Sequence, residues 1–353
     1  MSLLRVRFTD KHRLDHLRHA AHETETEDNG EIRAPTVFGG RFSLSSPACE
    51  RVEGGSMERK KVTLLDLFKK KEQGIPITML TTYDFPSAQA IDRAGIDIAF
   101  VGDSYGMVVL GYPSTVPVTM EEMLIACRAV ARGTQYAFLL GDMPFMSYQA
   151  DAAEAVHNAG RFLKEGNMDG VKLEGGRAVA PIARAITDAG IPVMGHIGLT
   201  PQSVSLLSGY RTQGTTAKAA HALLDDALAL EDAGCFGIVL EKVPDRVAQL
   251  ITERVHIPTI GIGAGAQTDG QVLVLHDLLG YYDRFLPKFA KRYANLHSII
   301  GQAVADYKKD VESRAFPAPE HTFSIGDEEW NALLESLDES NQSHVPAAFT
   351  KQG

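Results

Sequence analysis

Eight short apolar runs alternating with amphipathic helical stretches constrain this chain more than any other feature of its sequence. The runs span Ile75 to Thr82, Ile96 to Val101, Tyr136 to Leu140, Gly170 to Leu173, Ile191 to Met194, Phe236 to Leu240, Ile257 to Ile262 and Val272 to Leu275. Strand-length runs alternating with helices are the pattern of βα units. Right-handed crossovers between eight parallel strands predict a closed (β/α)8 TIM barrel. An open doubly wound sheet is the competing arrangement. Helix ends are readable as well. Thr63 to Gln73 is helical and stopped by Gly74, Thr119 with Glu122 forms a capping box, and Gly95, Gly133, Gly190 and Gly234 stand as C-terminal glycines.

The barrel is expected over residues 57–317. Residues 1–56 have a basic opening (Arg5, Arg7, Lys11, Arg13, Arg18), an acidic stretch from Glu23 to Glu31 and a Gly/Ser/Pro-containing linker. That composition implies no packed fold. It reads either as a mitochondrial transit peptide or as a plain disordered extension of a cytoplasmic protein, with Asp10 and Asp15 departing from the acid-poor norm of transit peptides. After the eighth run, Lys288 to Arg314 reads as a long helical region. The tail, 318–353, carries a short amphipathic helix over Asp327 to Leu337, with Trp330, Leu333, Leu334 and Leu337 on one side. Such helices bury either against a partner subunit in a homo-oligomer or against their own barrel.

Several function classes are disfavoured at this stage. Lysine and arginine number 35 against 45 aspartate and glutamate, a formal charge of -10 that opposes a nucleic-acid backbone. No apolar run approaches the ~20 residues of a membrane span. Cys49, Cys127 and Cys235 are odd in number and far apart, which suggests neither a disulfide framework nor a zinc site and favours a reducing compartment.

The chemistry lies at the run ends. In a parallel barrel the C-terminal ends of the strands form the active face. Asp103, Asp142, Glu174, His196 and Glu241 all fall at or just beyond run ends, and Lys172 lies two residues before Glu174, on the same face of its strand. A lone Asp in such a place is more often a helix N-cap. Several acids on neighbouring strands repel one another unless a metal, a lysine or a proton separates them. Hard oxygen ligands without a Cys or His pair favour Mg2+ over zinc, with positions left open for substrate oxygens. A 2-oxo acid suits such a metal, and chelation acidifies its neighbouring C–H enough for a carboxylate base to form an enolate. Glu241 is a candidate base, and an ion pair with Lys242 or an arginine is its structural alternative. His196 either contacts substrate or hydrogen-bonds within the rim, the supporting role being the better reading. Gly261 to Gly265 lacks dinucleotide-loop spacing and reads as a tight turn or a close backbone approach at least as well as a phosphate loop.

Taken in order, seven motifs resemble one family: Thr81 to Asp84, Val101 to Gly106, Asp142 to Met146, Val171 to Gly176, Gly195 to Gln202, Leu240 to Pro244 and Ile260 to Gly265. They look like ketopantoate hydroxymethyltransferase, also called 3-methyl-2-oxobutanoate hydroxymethyltransferase, over about residues 60–317. The resemblance implies a (β/α)8 enzyme of pantothenate synthesis. It would move a hydroxymethyl group from 5,10-methylenetetrahydrofolate to 3-methyl-2-oxobutanoate, with Mg2+ as its metal. Carried over by position, Asp103 and Asp142 would bind the metal and Glu174 would complete its environment directly or through water. Asp103, Ser104, Asp142 and Lys172 would contact the 2-oxo acid, and Glu241 would accept the proton. The resemblance also implies a large homo-oligomer. Residues 1–56 and the tail beyond Pro317 have no counterpart in compact family members. Another Mg2+-dependent 2-oxo acid enolate enzyme, an aldolase or lyase, is the alternative, followed by a noncatalytic metabolite-binding barrel.

Overall fold

The computed structural model describes residues 59–206, 209, 211–282 and 286–342. Eight parallel strands close into a barrel in sequence order: β1 (Ile77–Thr81), β2 (Ile98–Val101), β3 (Phe138–Asp142), β4 (Gly170–Lys172), β5 (Val193–Gly198), β6 (Gly237–Glu241), β7 (Thr259–Ile262) and β8 (Gly270–Leu273). β8 pairs with β1, Met79 lying opposite Val272, so no edge is left open. The open sheet is thereby excluded. The (β/α)8 expectation holds: β1, β2, β4 and β7 lie within their sequence runs, β3, β5 and β6 extend beyond the ends of theirs, and β8 begins before its run.

Alternation along the strands sorts side chains between two cores. Ile98 and Phe100 of β2 and Phe138 and Leu140 of β3 point into the barrel, packed with Met79, Met194, Val239 and Ile260. Ala99, Val101 and Leu139 point outward against the helices. The inward stripe changes chemistry near the top of the barrel. In β3 it runs Phe138, Leu140, Asp142, and in β6 it runs Val239, then Glu241. One parity therefore builds the core and then delivers the polar groups.

The bottom of the barrel is closed by α1 (Leu64–Gln73), which begins at the Thr63–Asp66 capping box and ends at a left-handed Gly74. Its Leu67 is 1% exposed and joins the inner core. Three aspartates preceding β2, β4 and β8 fasten this end. The Thr78 backbone N–H donates to Asp97 at 2.8 Å, that of Leu139 to Asp169 at 2.7 Å and that of Thr259 to Asp269 at 2.8 Å. Each carboxylate also pairs with a lysine from α1 or the segment before it: Lys70 with Asp97, Lys61 with Asp169 and Lys71 with Asp269.

The helices follow the expected stops with one exception. α2 (Phe85–Ala94) is capped by Asp84 and ends at a left-handed Gly95. α4 (Met120–Gly133) opens with the Thr119–Glu122 box. Gly133, read from the sequence as a C-terminal glycine, instead lies within α4, where an added Cβ would sit 2.6 Å from the Phe85 carbonyl oxygen. Its smallness lets α2 and α4 approach. Short α3 (Tyr105–Val108) follows β2, and α5 (Ala152–Lys164), α6 (Ala180–Asp188), α7 (Ala217–Asp232) and α8 (Asp245–Arg254) surround the staves.

Beyond β8 the sequence reading needs adjustment. α9 (Leu275–Leu279) is followed by non-helical chain, because the Tyr293 N–H bonds the Leu278 carbonyl and the His297 N–H bonds that of Gly280. Helix resumes only as α10 (Leu296–Glu312), shorter than the predicted Lys288 to Arg314. α11 runs Asp327–Gln342, longer than expected, and Trp330, Leu333, Leu334 and Leu337 remain 43–51% exposed. No described helix is long and apolar enough to cross a membrane. Cys127 and Cys235 are buried and free. The 1–56 extension and Cys49 lie outside the described residues.

Asp97→Ala should lower unfolding free energy by about 2–4 kcal/mol, because it removes the acceptor of both the part-buried Thr78 N–H and the Lys70 ammonium. Chemical denaturation of the variant checks this. A loss below about 1 kcal/mol, the size of one ordinary hydrogen bond, would show that the bottom staples carry little of the fold.

Candidate active site

At the top of the barrel the inward stripe becomes a layer of charge. Asp103, Asp142, Lys172, Glu174 and His196 are each at most 5% exposed. Lys172 Nζ lies 2.9 Å from Asp142 Oδ1, 3.7 Å from Glu174 Oε1 and 3.2 Å from His196 Nδ1, with the Phe100 ring 5.5 Å away. Burial alone would discharge the lysine. Asp142, Glu174 and Asp103 outweigh burial and raise its pKa, so it stays an ammonium.

The carboxylates are not equivalent. Burial pushes Glu174 upward, but Lys172 and His196 overcome it and hold the group below the usual carboxylate range. Its two oxygens are occupied: Oε1 is 3.3 Å from His196 Nδ1, and Oε2 accepts the Gln202 backbone N–H at 3.0 Å. Asp103 is driven well above the ordinary range by burial, then by Asp142 and Glu174. Asp142 is also raised, chiefly by burial, despite Lys172. The Asp103 backbone N–H donates to Asp142 Oδ2 at 3.1 Å, while Asp142 Oδ1 accepts nothing besides the Lys172 contact. These two aspartates are the pair left wanting positive charge.

His196 bridges this layer to Glu241. Burial and the Lys172 charge disfavour an imidazolium, but Glu174 and Glu241 outweigh them and lift the ring to about 9. The protonated ring donates from Nδ1 to Glu174, and Lys172 at 3.2 Å is then a repulsive neighbour rather than a donor to it. Nε2 faces Glu241 Oε2 at 3.5 Å and is otherwise unbonded. The sequence offered Lys242 or an arginine as the structural partner of Glu241. The structure places His196 Nε2 3.5 Å from the Glu241 carboxylate. Lys242 itself has φ 47, an uncommon backbone for a side chain of this kind, immediately beside the candidate base.

Two residues with no assigned role complete the network. Tyr148 donates to Gln202 Oε1 at 2.7 Å and accepts the Glu174 N–H at 3.1 Å. Gln202 Nε2 donates to Asp103 Oδ2 and to the Met143 carbonyl, both at 2.9 Å. Gln202 closes the Gly195 to Gln202 motif, which was a usable signal. Tyr148 lies two residues past its nearest motif and gave none. Ser104 Oγ shares a 2.8 Å hydrogen bond with the Tyr83 hydroxyl.

Asp103, Ser104, Asp142, Lys172, Glu174 and Glu241 all line one cavity of about 510 Å³. The sequence-predicted residues are thus brought together. The donor set fits a hard divalent cation at Asp103 and Asp142, since Mg2+ commonly takes one or two carboxylates and leaves its other positions to water and substrate. Among the described residues no three His, Cys, Asp or Glu side chains form a metal-holding group. Glu174, engaged by His196 and Gln202, stands beside the pair and not in line with it. The glycine loop is explained by packing: Gly263 and Gly265 have φ +63 and +81, and added Cβ atoms would meet Phe289 at 2.8 Å and Asp245 at 2.6 Å.

Comparison with known proteins agrees with this geometry. A sequence model of the ketopantoate hydroxymethyltransferase family matches residues 61–319. The 3-methyl-2-oxobutanoate hydroxymethyltransferase of Carboxydothermus hydrogenoformans is 56% identical over 268 residues, covering 76% of this chain and 97% of that protein. The protein of the same name from Nitratidesulfovibrio vulgaris is 51% identical over 305 residues, 86% of this chain and 99% of its own length. The latter match is longer than the family region, so it takes in residues outside 61–319. A crystal structure of phosphonopyruvate hydrolase shares the fold with TM-score 0.50 at 10% identity, covering 82% of this chain and all of that one. The chain belongs to the ketopantoate hydroxymethyltransferase family.

Proposed function

We propose that this chain transfers a hydroxymethyl group from 5,10-methylenetetrahydrofolate to 3-methyl-2-oxobutanoate, the step of pantothenate biosynthesis that yields 2-dehydropantoate. Family membership supports the reaction, and one observation carries its assignment to this cavity. Asp103 and Asp142 are buried together against Lys172, with Glu241 held across His196 on the same cavity wall. One water per turnover supplies the hydroxyl oxygen, and tetrahydrofolate leaves.

In this reading Asp103 and Asp142 hold Mg2+, which when bound supplies Lewis-acid polarisation of the oxo acid's carbonyl and carboxylate oxygens. The Lys172 ammonium, kept charged by three carboxylates, stabilises negative charge growing on the substrate's oxygen. Ser104, oriented by Tyr83, contacts the substrate carboxylate. Glu241 takes the proton from C3, and C3 then bonds to the folate-derived one-carbon unit. His196, fixed by Glu174, holds the Glu241 carboxylate in place. Glu174 orients Lys172, His196 and Gln202 and would complete the metal's environment directly or through water.

Two further parts of the proposal concern assembly and location. Exposed apolar side chains on α10, among them Ile299, Val304 and Tyr307, together with those on α11, support a homo-oligomer. The basic, leucine-containing opening of residues 1–56 supports delivery to mitochondria.

The reaction is tested by tetrahydrofolate release on mixing the protein with 5,10-methylenetetrahydrofolate, 3-methyl-2-oxobutanoate and Mg2+, with a chelated control. Release of a different product from the oxo acid without folate would favour an aldolase or lyase. Asp142→Asn should weaken Mg2+ and oxo acid together by at least roughly 10-fold, since even outer-shell partners of metals cost that much. Calorimetry reads both, and unchanged affinities in a folded variant would remove Asp142 from the metal site. Glu241→Gln should keep both ligands but slow C3 hydrogen exchange of the oxo acid in D2O by roughly 10²- to 10⁴-fold. NMR follows the exchange, and a wild-type rate would mean another base.

A further inference from the structure

The cavity is larger than its charged floor needs. A branched five-carbon oxo acid fills only a small part of about 510 Å³, a size in the roughly 300–1,000 Å³ range of pockets that take drug-sized ligands. The rest of the lining is mostly apolar, with Met107, Val108, Val274 and Phe289 beside Lys242 and Tyr282, and holds a single further carboxylate, Asp277 of α9. This apolar slot with one acid is chemically unlike the floor.

Asp277 lacks the partners that explain the other acids. Among the described residues, no hydrogen bond reaches its carboxylate, although its backbone N–H is used within the turn by the Val274 carbonyl. Burial raises it to about 6 while Arg292 pulls the other way. A half-buried acceptor without donors is costly unless a ligand supplies them. The Tyr83 hydroxyl reaches Ser104 Oγ at 2.8 Å, and the centroid of the same ring lies 5.4 Å from that of His276, the residue before Asp277. Stacking on Tyr281 at 5.1 Å braces His276.

We infer that Asp277 recognises the 2-amino-4-oxopyrimidine edge of the folate co-substrate, with the pterin ring lying in the apolar slot above the oxo acid. This rests on the proposed reaction and adds the seat of its second substrate. The pyrimidine edge presents N3–H and the 2-amino group as two parallel donors, the spacing that a carboxylate accepts bidentately. The flat ring matches the apolar walls. Asp277 is therefore a specificity residue for folate and takes no part in moving the C3 proton.

The test separates folate recognition from oxo acid chemistry. Calorimetry with tetrahydrofolate should show Asp277→Asn binding roughly 10- to 100-fold more weakly than wild type, the worth of a charged hydrogen-bonded contact, with Asp277→Glu intermediate. Mg2+-dependent C3 exchange in D2O, which needs no folate, should stay at the wild-type rate. Wild-type protein should bind 2-desamino-tetrahydrofolate more weakly than tetrahydrofolate by a similar factor, and the Asn variant should not distinguish them. Equal binding of the two folates by wild type overturns the inference without requiring any variant to fold. So does unchanged tetrahydrofolate affinity in Asp277→Asn, or parallel loss of C3 exchange, which marks a structural role. Wild type that discriminates between the folates but releases no product overturns the proposed reaction and leaves the recognition intact.

Discussion

One ammonium in a nearly dry barrel mouth sets the terms for everything around it. Lys172 is surrounded by Asp142, Glu174 and, farther off, Asp103, and none of the four could keep its charge alone at such burial. The lysine neutralises part of that charge and Glu174 shares what remains with His196. Asp103 and Asp142 are left under-compensated, their carboxyls pushed toward the protonated form. That imbalance is the physical ground for placing a cation there in the proposed function. The same imbalance explains why Tyr148 and Gln202 must be in place: each satisfies a lone pair or N–H that would otherwise be stranded inside the layer.

The barrel divides its acids by end. At the bottom, Asp97, Asp169 and Asp269 each satisfy a neighbouring strand's backbone N–H and a lysine, and their geometry leaves nothing for a ligand. At the top, acids of the same type meet one another and a cavity. The difference comes from position on the strand: residues before a strand sit at its N-terminal mouth and residues at its end face the loops. Residue type alone does not sort the two groups.

The strands were legible because a barrel stave is an apolar run bounded by turns, and four of the eight run ends then located Asp103, Asp142, Glu174 and Glu241. Capping boxes at Thr63 and Thr119 were legible because they are local. Gly133 was misread for the opposite reason, since its role depends on Phe85, distant in sequence and close in space. The start of α10 was placed too early because bonds from Tyr293 and His297 back to the α9 region override local helix preference. In the site, Asp103, Asp142, Lys172 and Glu174 could be grouped from strand position. Tyr148 could not, because it comes from a loop whose path no periodicity dictates. That Glu174 turns toward His196 and Gln202 was likewise set by packing between the end of β4, β5 and the turn after β5.

The closed bottom of the barrel bears on access to the site. With Leu67 of α1 packed into the inner core and the lysines of this segment fastened to the rim below, the cavity is a blind well. Anything that reaches Lys172 therefore enters and leaves past the strand ends and the loops that follow them.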